Sequence, residues 1–181
     1  SALTKNCVGL STAAVRDIIV SHMHYDHAGN HDLFPRARYH LQDDEMAYCT
    51  GRAICHHVIR APFDAGDVQA MDGKLFAGRV VFHDRVSELA PGITLHQVGG
   101  HTRGLQVVRV RTRRGWVVLA SDAAHFYANW QQRRPFPIVD DVAAYLDVGP
   151  DKLPEARAGG TCSYVGVPVL CGPRGLPGAR D

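Results

Sequence analysis

No stretch of this 181-residue chain is apolar for anything near the roughly 20 residues that a membrane-spanning helix requires. The opening residues, SALTKNCVGL, contain no apolar core of a secretory leader, so the expected location is the cytoplasm. Charge of one sign is also scarce. The net formal charge is +2 with histidine neutral, too little to favour nucleic acid or an anionic membrane, and the expected partner is a small-molecule substrate. Oligomeric state is left open. No CxxC pair occurs, and five cysteines is an odd number, which argues for free thiols in a reducing compartment rather than a disulfide framework. Cys49 and Cys55, beside His56 and His57, read as packed or surface thiols rather than as a separate zinc site. Internal repeats are absent as well. What remains, 45% hydrophobic and 21% charged, is ordinary for one globular domain with a real core.

Against that plain background stands SHMHYDHAG, residues 21–29. His22, His24, Asp26 and His27 are all metal-ligand types, packed into one short loop after an apolar run, VRDIIV, that reads as a buried strand. Imidazole and carboxylate together suit zinc or a similar first-row divalent ion. Alternate residues of an extended segment point to one side, so His22 and His24 can grip one ion. Asp26 and His27, past a bend, can reach a second point a few ångströms away, the split that a two-metal site needs.

SHMHYDHAG resembles the metal-binding signature of the metallo-β-lactamase superfamily of hydrolases. Two later segments fit it in the same order. GGHTRG, residues 99–104, is similar to the family's second histidine loop and makes His101 a ligand. LASDAA, residues 119–124, resembles the loop carrying the metal-bridging carboxylate, here Asp122. The stretch NHDLFPRARYHLQDDEMAY, residues 30–48, looks closest to the N-acyl homoserine lactonase branch, and the resemblance covers residues 11–146. It implies an α+β fold, the αββα sandwich of two similar halves, incomplete at both ends because few residues precede the first motif. It implies two Zn2+ ions: one held by His22, His24 and His101, the second by Asp26, His27 and the shared Asp122. It implies metal-assisted hydrolysis, in which a metal-bound hydroxide attacks a carbonyl carbon and opens a lactone ring, N-acyl homoserine lactones first among substrates. Asp122 would orient the nucleophile and Asp26 take a proton as the leaving group departs. The alternatives are a thioester hydrolase of the hydroxyacylglutathione type and a non-catalytic zinc-binding remnant.

One ligand is missing from this pattern. The family's last histidine lies well beyond the bridging Asp, and here no histidine follows His125. The second ion is therefore expected to bind more weakly, or to take water or His125 in place of the missing ligand. His125 also sits where the lactonase branch often carries a tyrosine that contacts the substrate carbonyl. Glycine and proline crowd the chain from residue 148, so 1–147 reads as the folded domain and 148–181 as a disordered or foreign tail.

The remaining elements follow from local patterns. Ser11 reads as a helix start, with strands over 15–20, 37–41, 80–82, 86–89 and 93–98. Residues 43–48 read as a helix whose acids suit the helix dipole. Residues 105–112 and 116–120 read as a hairpin, with Arg109 and Arg111 on a solvated face, and 140–147 as a helix. Residues 51–78 look too irregular for core strands and suggest a lid. Phe126, Tyr127 and Trp130 read equally well as edge packing or as an apolar wall for substrate.

Overall fold

A computed structural model describes residues 11–113 and 115–148. The expected tail over 148–181 thus lies outside the described residues except for Val148, which is buried with Val98, Leu105 and Val107. The side chains of Tyr127 and Trp130 lie outside them too.

Ser11 opens the described chain as expected, its Oγ accepting the Ala13 N–H ahead of a 3-10 turn, Thr12–Ala14. β1 (Asp17–Ile19), β2 (Arg38–Gln42) and β3 (Val80–His83) form a parallel sheet in the order β1-β2-β3. Parallel neighbours need crossovers. The first carries the short helix α1 (Tyr25–Ala28), and the second carries α2 (Asp43–Thr50), α3 (His57–Arg60) and α4 (Ala65–Phe76). β4 (Val86–Ala90), β5 (Ile93–Gln97), β6 (Gln106–Thr112) and β7 (Gly115–Leu119) then form an antiparallel meander. α5 (Tyr127–Gln131) and α6 (Val142–Leu146) follow.

Alternation along the strands sorts these elements into layers. Tyr39 and Leu41 on β2 face a cluster with Met46 and Cys49 of α2 and Met71 of α4. His40 and Gln42 point the other way, toward the second sheet. There Gln42 Nε2 donates to Gln106 Oε1 at 2.9 Å. Val107, beside Gln106, turns to the far side and packs with Val118, Ala120, Ala123 and Val148. The layers thus run helix, sheet, sheet, with the 3-10 turn Ser121–Ala123 and Val148 packed on the outer face of the second sheet.

Polar groups hold the seam between the sheets. Gln106 is fully buried and fully used: its Nε2 donates to Val20 O at 2.7 Å and His40 O at 3.0 Å, and its main-chain N–H donates to Ser21 O at 3.0 Å. Gln42 Oε1 accepts the Arg85 N–H that starts the second sheet. A chain of side chains runs beside this pair: Asp17 Oδ1 to His40 Nε2 at 3.0 Å, His40 Nδ1 to His83 Nε2 at 2.9 Å, and His83 Nδ1 to Ser87 Oγ at 2.7 Å. Both nitrogens of both rings are used within the protein.

Residues 51–78 depart from expectation. They hold a 3-10 turn, Arg52–Cys55, and the helices α3 and α4. α4 is no lid, because Met71 is fully buried against Tyr39 and Leu41 and the helix forms one wall of the core. Its start was readable: Asp64 accepts the N–H groups of Gly66 and Asp67 at 2.8 and 3.1 Å, an ordinary N-cap. Gly66 and Gly73 hid the rest. The hairpin appears as expected, though Arg109 is not simply solvated: its guanidinium lies over the Trp116 ring at 4.8 Å.

Gly73 lies exposed inside α4, and a Cβ there meets nothing within 4 Å. Gly73→Ala is expected to stabilise the fold by about 0.5–1 kcal/mol through lost unfolded-state freedom. Thermal denaturation checks this as a rise of about 2–4 °C in Tm.

Candidate metal centre

Three loops meet at the top of the seam. The first leaves β1 through Val20, whose N–H donates to His40 O, and Ser21, so His22 to His27 start from a fixed base. The second leaves β5. Gly99 and Gly100 both take positive φ, 67° and 86°, and a Cβ on Gly100 would fall 2.6 Å from Tyr145 Cα. Only glycine lets the chain turn so close to α6 and bring His101 inward. The third leaves β7, where Ser121 holds φ at 48° just before Asp122. That is an uncommon conformation for a non-glycine residue, and it is placed at the one carboxylate of the cluster.

The donors converge on Asp122. Its Oδ2 lies 3.2 Å from His125 Nε2, 3.4 Å from His27 Nε2, 3.4 Å from His101 Nε2 and 3.9 Å from His22 Nε2. His24 Nδ1 lies 3.0 Å from His101 Nε2. Three overlapping sets have all their donor atoms within 4.8 Å of one another: His22, His24 and His101; His22, His27 and Asp122; His101, Asp122 and His125.

Three of the rings are turned by a partner on the other nitrogen. Ile138 O can only accept, so His101 Nδ1, 2.7 Å away, carries the proton and Nε2 keeps its lone pair. The Nδ1 atoms of His22 and His27 lie 3.2 and 3.3 Å from Ser21 Oγ, which also accepts the Ser121 hydroxyl at 2.9 Å. This directs both Nε2 atoms into the cluster, where they are buried with no hydrogen-bond partner among the described residues. Buried polar atoms are rarely left so. Unpartnered nitrogens around a single carboxylate fit a divalent cation, and the His/Asp donor set fits zinc chemistry.

Electrostatics agree. Burial, followed by the neighbouring His24, pushes the His22 pKa well below the ordinary imidazole value. Burial and His101 push His24 down to about 3, and burial lowers His101 as well. These rings are neutral at pH 7, the state in which imidazole ligates. At Asp122 burial works against ionisation, but the close approach of the His125 and His27 rings outweighs it, and the carboxyl stays well below its usual range.

Of the expected site residues, Asp26 stands outside the donor sets, and His125, expected as a substitute ligand, joins one. Asp26, in the first turn of α1, has a side chain 45% exposed; its Oδ2 is 3.6 Å from His27 Nε2 and outside all three donor sets. The helix carries it to the rim. His125 instead reaches inward, its ring stacked on Phe136 at 3.8 Å. Of the aromatic segment after Asp122, Phe136 therefore packs on the centre, while Phe126 is exposed. Cys49 is buried, with burial pushing its thiol up to about 12, and Cys55 is exposed; neither belongs to a donor set.

Sequence reading missed the supports. Ser21 and Ser121 carried no motif signal beyond standing next to ligand-type residues. Glu45 was read only as one of three acids in the first turn of α2. In the structure it is fully buried, and its carboxylate accepts the Met23 N–H at 2.8 Å, the Thr102 hydroxyl at 2.6 Å and the Gly104 N–H at 3.1 Å. Burial raises its pKa to about 7 against these three bonds.

No family model matches the chain. It is 31% identical over 126 residues to N-acyl homoserine lactonase AiiB of Agrobacterium fabrum (strain C58), a match covering 68% of this chain and 45% of that protein. A solved N-acyl homoserine lactone hydrolase, holding the product N-hexanoyl-L-homoserine at its catalytic metal centre, superposes with a TM-score of 0.64 at 24% identity, over 83% of this chain and 53% of that one. The hydrolase AbOPH of the β-lactamase superfamily superposes with a TM-score of 0.65 at 18% identity, over 82% and 54%. The chain has the fold of these hydrolases, that of the metallo-β-lactamase superfamily. Like them it is an α+β structure, and it spans about half the length of the curated relatives it matches. Among the described residues of this metallo-β-lactamase fold, no helix is long and apolar enough to cross a membrane.

The lowered imidazole pKa values set a pH dependence for the metal-free protein. Unfolded histidines take up protons near pH 6.5, while folded His22, His24 and His101 resist them, so the unfolded state binds more protons below that pH. Glu45 acts oppositely, but it is one group against three. The Tm of metal-stripped protein is expected to fall as pH drops from 7 toward 5, and added Zn2+ to raise Tm at pH 7. Denaturation scans across that range, with and without zinc, check both.

Proposed function

We propose that the chain carries the dinuclear zinc centre of a lactone hydrolase that opens N-acyl homoserine lactones. The observation that supports this most is Asp122 Oδ2 standing among four imidazole nitrogens, with donor sets to either side of it. In this reading His22, His24 and His101 hold one zinc ion. His27 and Asp122 hold the second, with Asp26 at its rim and His125 beside it in place of the later histidine. When bound, zinc would lower the pKa of a water to about 7 and polarise a carbonyl.

The chain's own residues do the rest. Asp122, ionised and anchored by His27 and His125, fixes the direction from which the nucleophile approaches. Asp26, half-exposed at the rim, is placed to take the proton given up by the attacking water and pass it to the departing alkoxide. His125, held against Phe136, presents Nε2 3.2 Å from Asp122 Oδ2. The Phe63 ring lies edge-on to His24 at 4.6 Å and also lines a cavity of about 610 Å³ with Ile54 and Val68, a space suited to an acyl chain. AiiB and the hydrolase with bound N-hexanoyl-L-homoserine support the substrate class by likeness.

Zinc-loaded protein is expected to open N-hexanoyl homoserine lactone, followed by proton release in weak buffer. Asp122→Asn should lower kcat at least about 100-fold, the scale for losing a group that organises the transition state. Ring opening that is absent in zinc-loaded wild type, or unchanged in Asp122→Asn, would refute the proposal.

A further inference from the structure

The buried carboxylate of Glu45 has no part in the chemistry above, yet it joins the two loops that bring the three-histidine set together. Its oxygens are divided between them. Oε1 takes the Met23 N–H, from the residue between His22 and His24. Oε2 takes the Thr102 hydroxyl and the Gly104 N–H, from the loop that begins with His101. The distance between the loops is thus set by the width of one carboxylate. All three donors are uncharged, so no ion pair explains a fully buried acid at this place, and burying one is costly.

The approach is tight by construction. A Cβ on Gly104 would lie 2.1 Å from Glu45 N and 2.4 Å from its Cα, so the second loop can rest on α2 only as glycine. On the other side of the clamp, His24 Nδ1 and His101 Nε2, one from each loop, stand 3.0 Å apart. The His40–His83 pair, whose ring nitrogens come equally close, differs in having every nitrogen already used.

We infer that Glu45 is a positioning residue: it fixes His22 and His24 against His101 before metal arrives, and so sets the affinity and geometry of that three-histidine set. This rests on the metal centre proposed above but not on any lactonase activity. Removing outer partners of metal ligands commonly costs 10–100-fold in affinity.

The test uses full-length chain, stripped of metal and titrated with Zn2+ against a chromophoric chelator, with Co2+ spectra as a second readout. Glu45→Gln leaves one acceptor oxygen and sets an amide N–H against the donors of one loop. It is expected to weaken the tighter zinc equivalent at least about 10-fold and to shift the cobalt ligand-field bands. Thr102→Val, which removes a single donor, should move both readouts in the same direction by less, and Thr102→Ser should restore them. Should Glu45→Gln fail to fold, the Thr102 pair decides. Wild-type zinc affinity and cobalt spectra in folded Glu45→Gln, or in Thr102→Val, would overturn the inference, even where the Tm is lowered. A wild type that binds zinc but opens no lactone would overturn the proposed substrate and leave this result standing.

Discussion

Everything at the metal centre depends on how one buried amide, Gln106, ties two sheets together. A parallel sheet and an antiparallel meander have no strand in common, and nothing in their own ladders fixes one against the other. Gln106 does so with four hydrogen bonds, to Val20, Ser21, His40 and Gln42. Two of these reach the residues directly before His22. A hydrophobic side chain would fill the same space but would leave the Val20 carbonyl without the Gln106 donor in a dry interior, where such losses are most costly. The seam therefore fixes register as well as distance.

Upon that seam the centre is built as a hierarchy. Main-chain turns at Gly100 and Ser121 aim the loops, and hydroxyls and carbonyls turn the rings. Burial keeps the imidazoles neutral while Asp122 stays ionised. The result is a pocket of lone pairs around one negative oxygen, an arrangement that repels protons and favours a cation. Glu45 and Gln106 occupy comparable places on either side of it. One spaces the loops and the other spaces the sheets.

Sequence reading recovered what is written in adjacent residues. The HxHxDH loop is legible because its donors are one to five positions apart and follow an apolar strand. His101 and Asp122 are legible because each follows a strand in a short recognisable loop. The hairpin is legible from the alternation in LQVVRVRT. What stayed hidden is written across distance. Glu45 meets its partners 22, 57 and 59 positions away, and Gln106 meets Val20 86 positions away. No local pattern marks an acid or an amide as structural, because a solvated Glu on a helix looks the same. α4 was obscured for a different reason: two glycines diluted a helix whose stability comes from Met71 in the core rather than from propensity. The place of Asp26 at the rim was hidden because rim and interior differ by a fraction of a helical turn, which spacing alone does not resolve.

The bond between the hydroxyls of Ser21 and Ser121 spans 100 positions of chain, and His24 meets His101 across 77. Closing loops of that length carries a large entropic cost before any contact repays it. The first histidine loop thus emerges from β1 long before its partners exist in the folding chain, and it can hold nothing by itself. The centre takes shape only when the meander has formed and docked, making it among the last parts of the molecule to become native. By the same loop-closure cost, a metal bound there would act as a seal on folding already completed rather than a seed from which it begins.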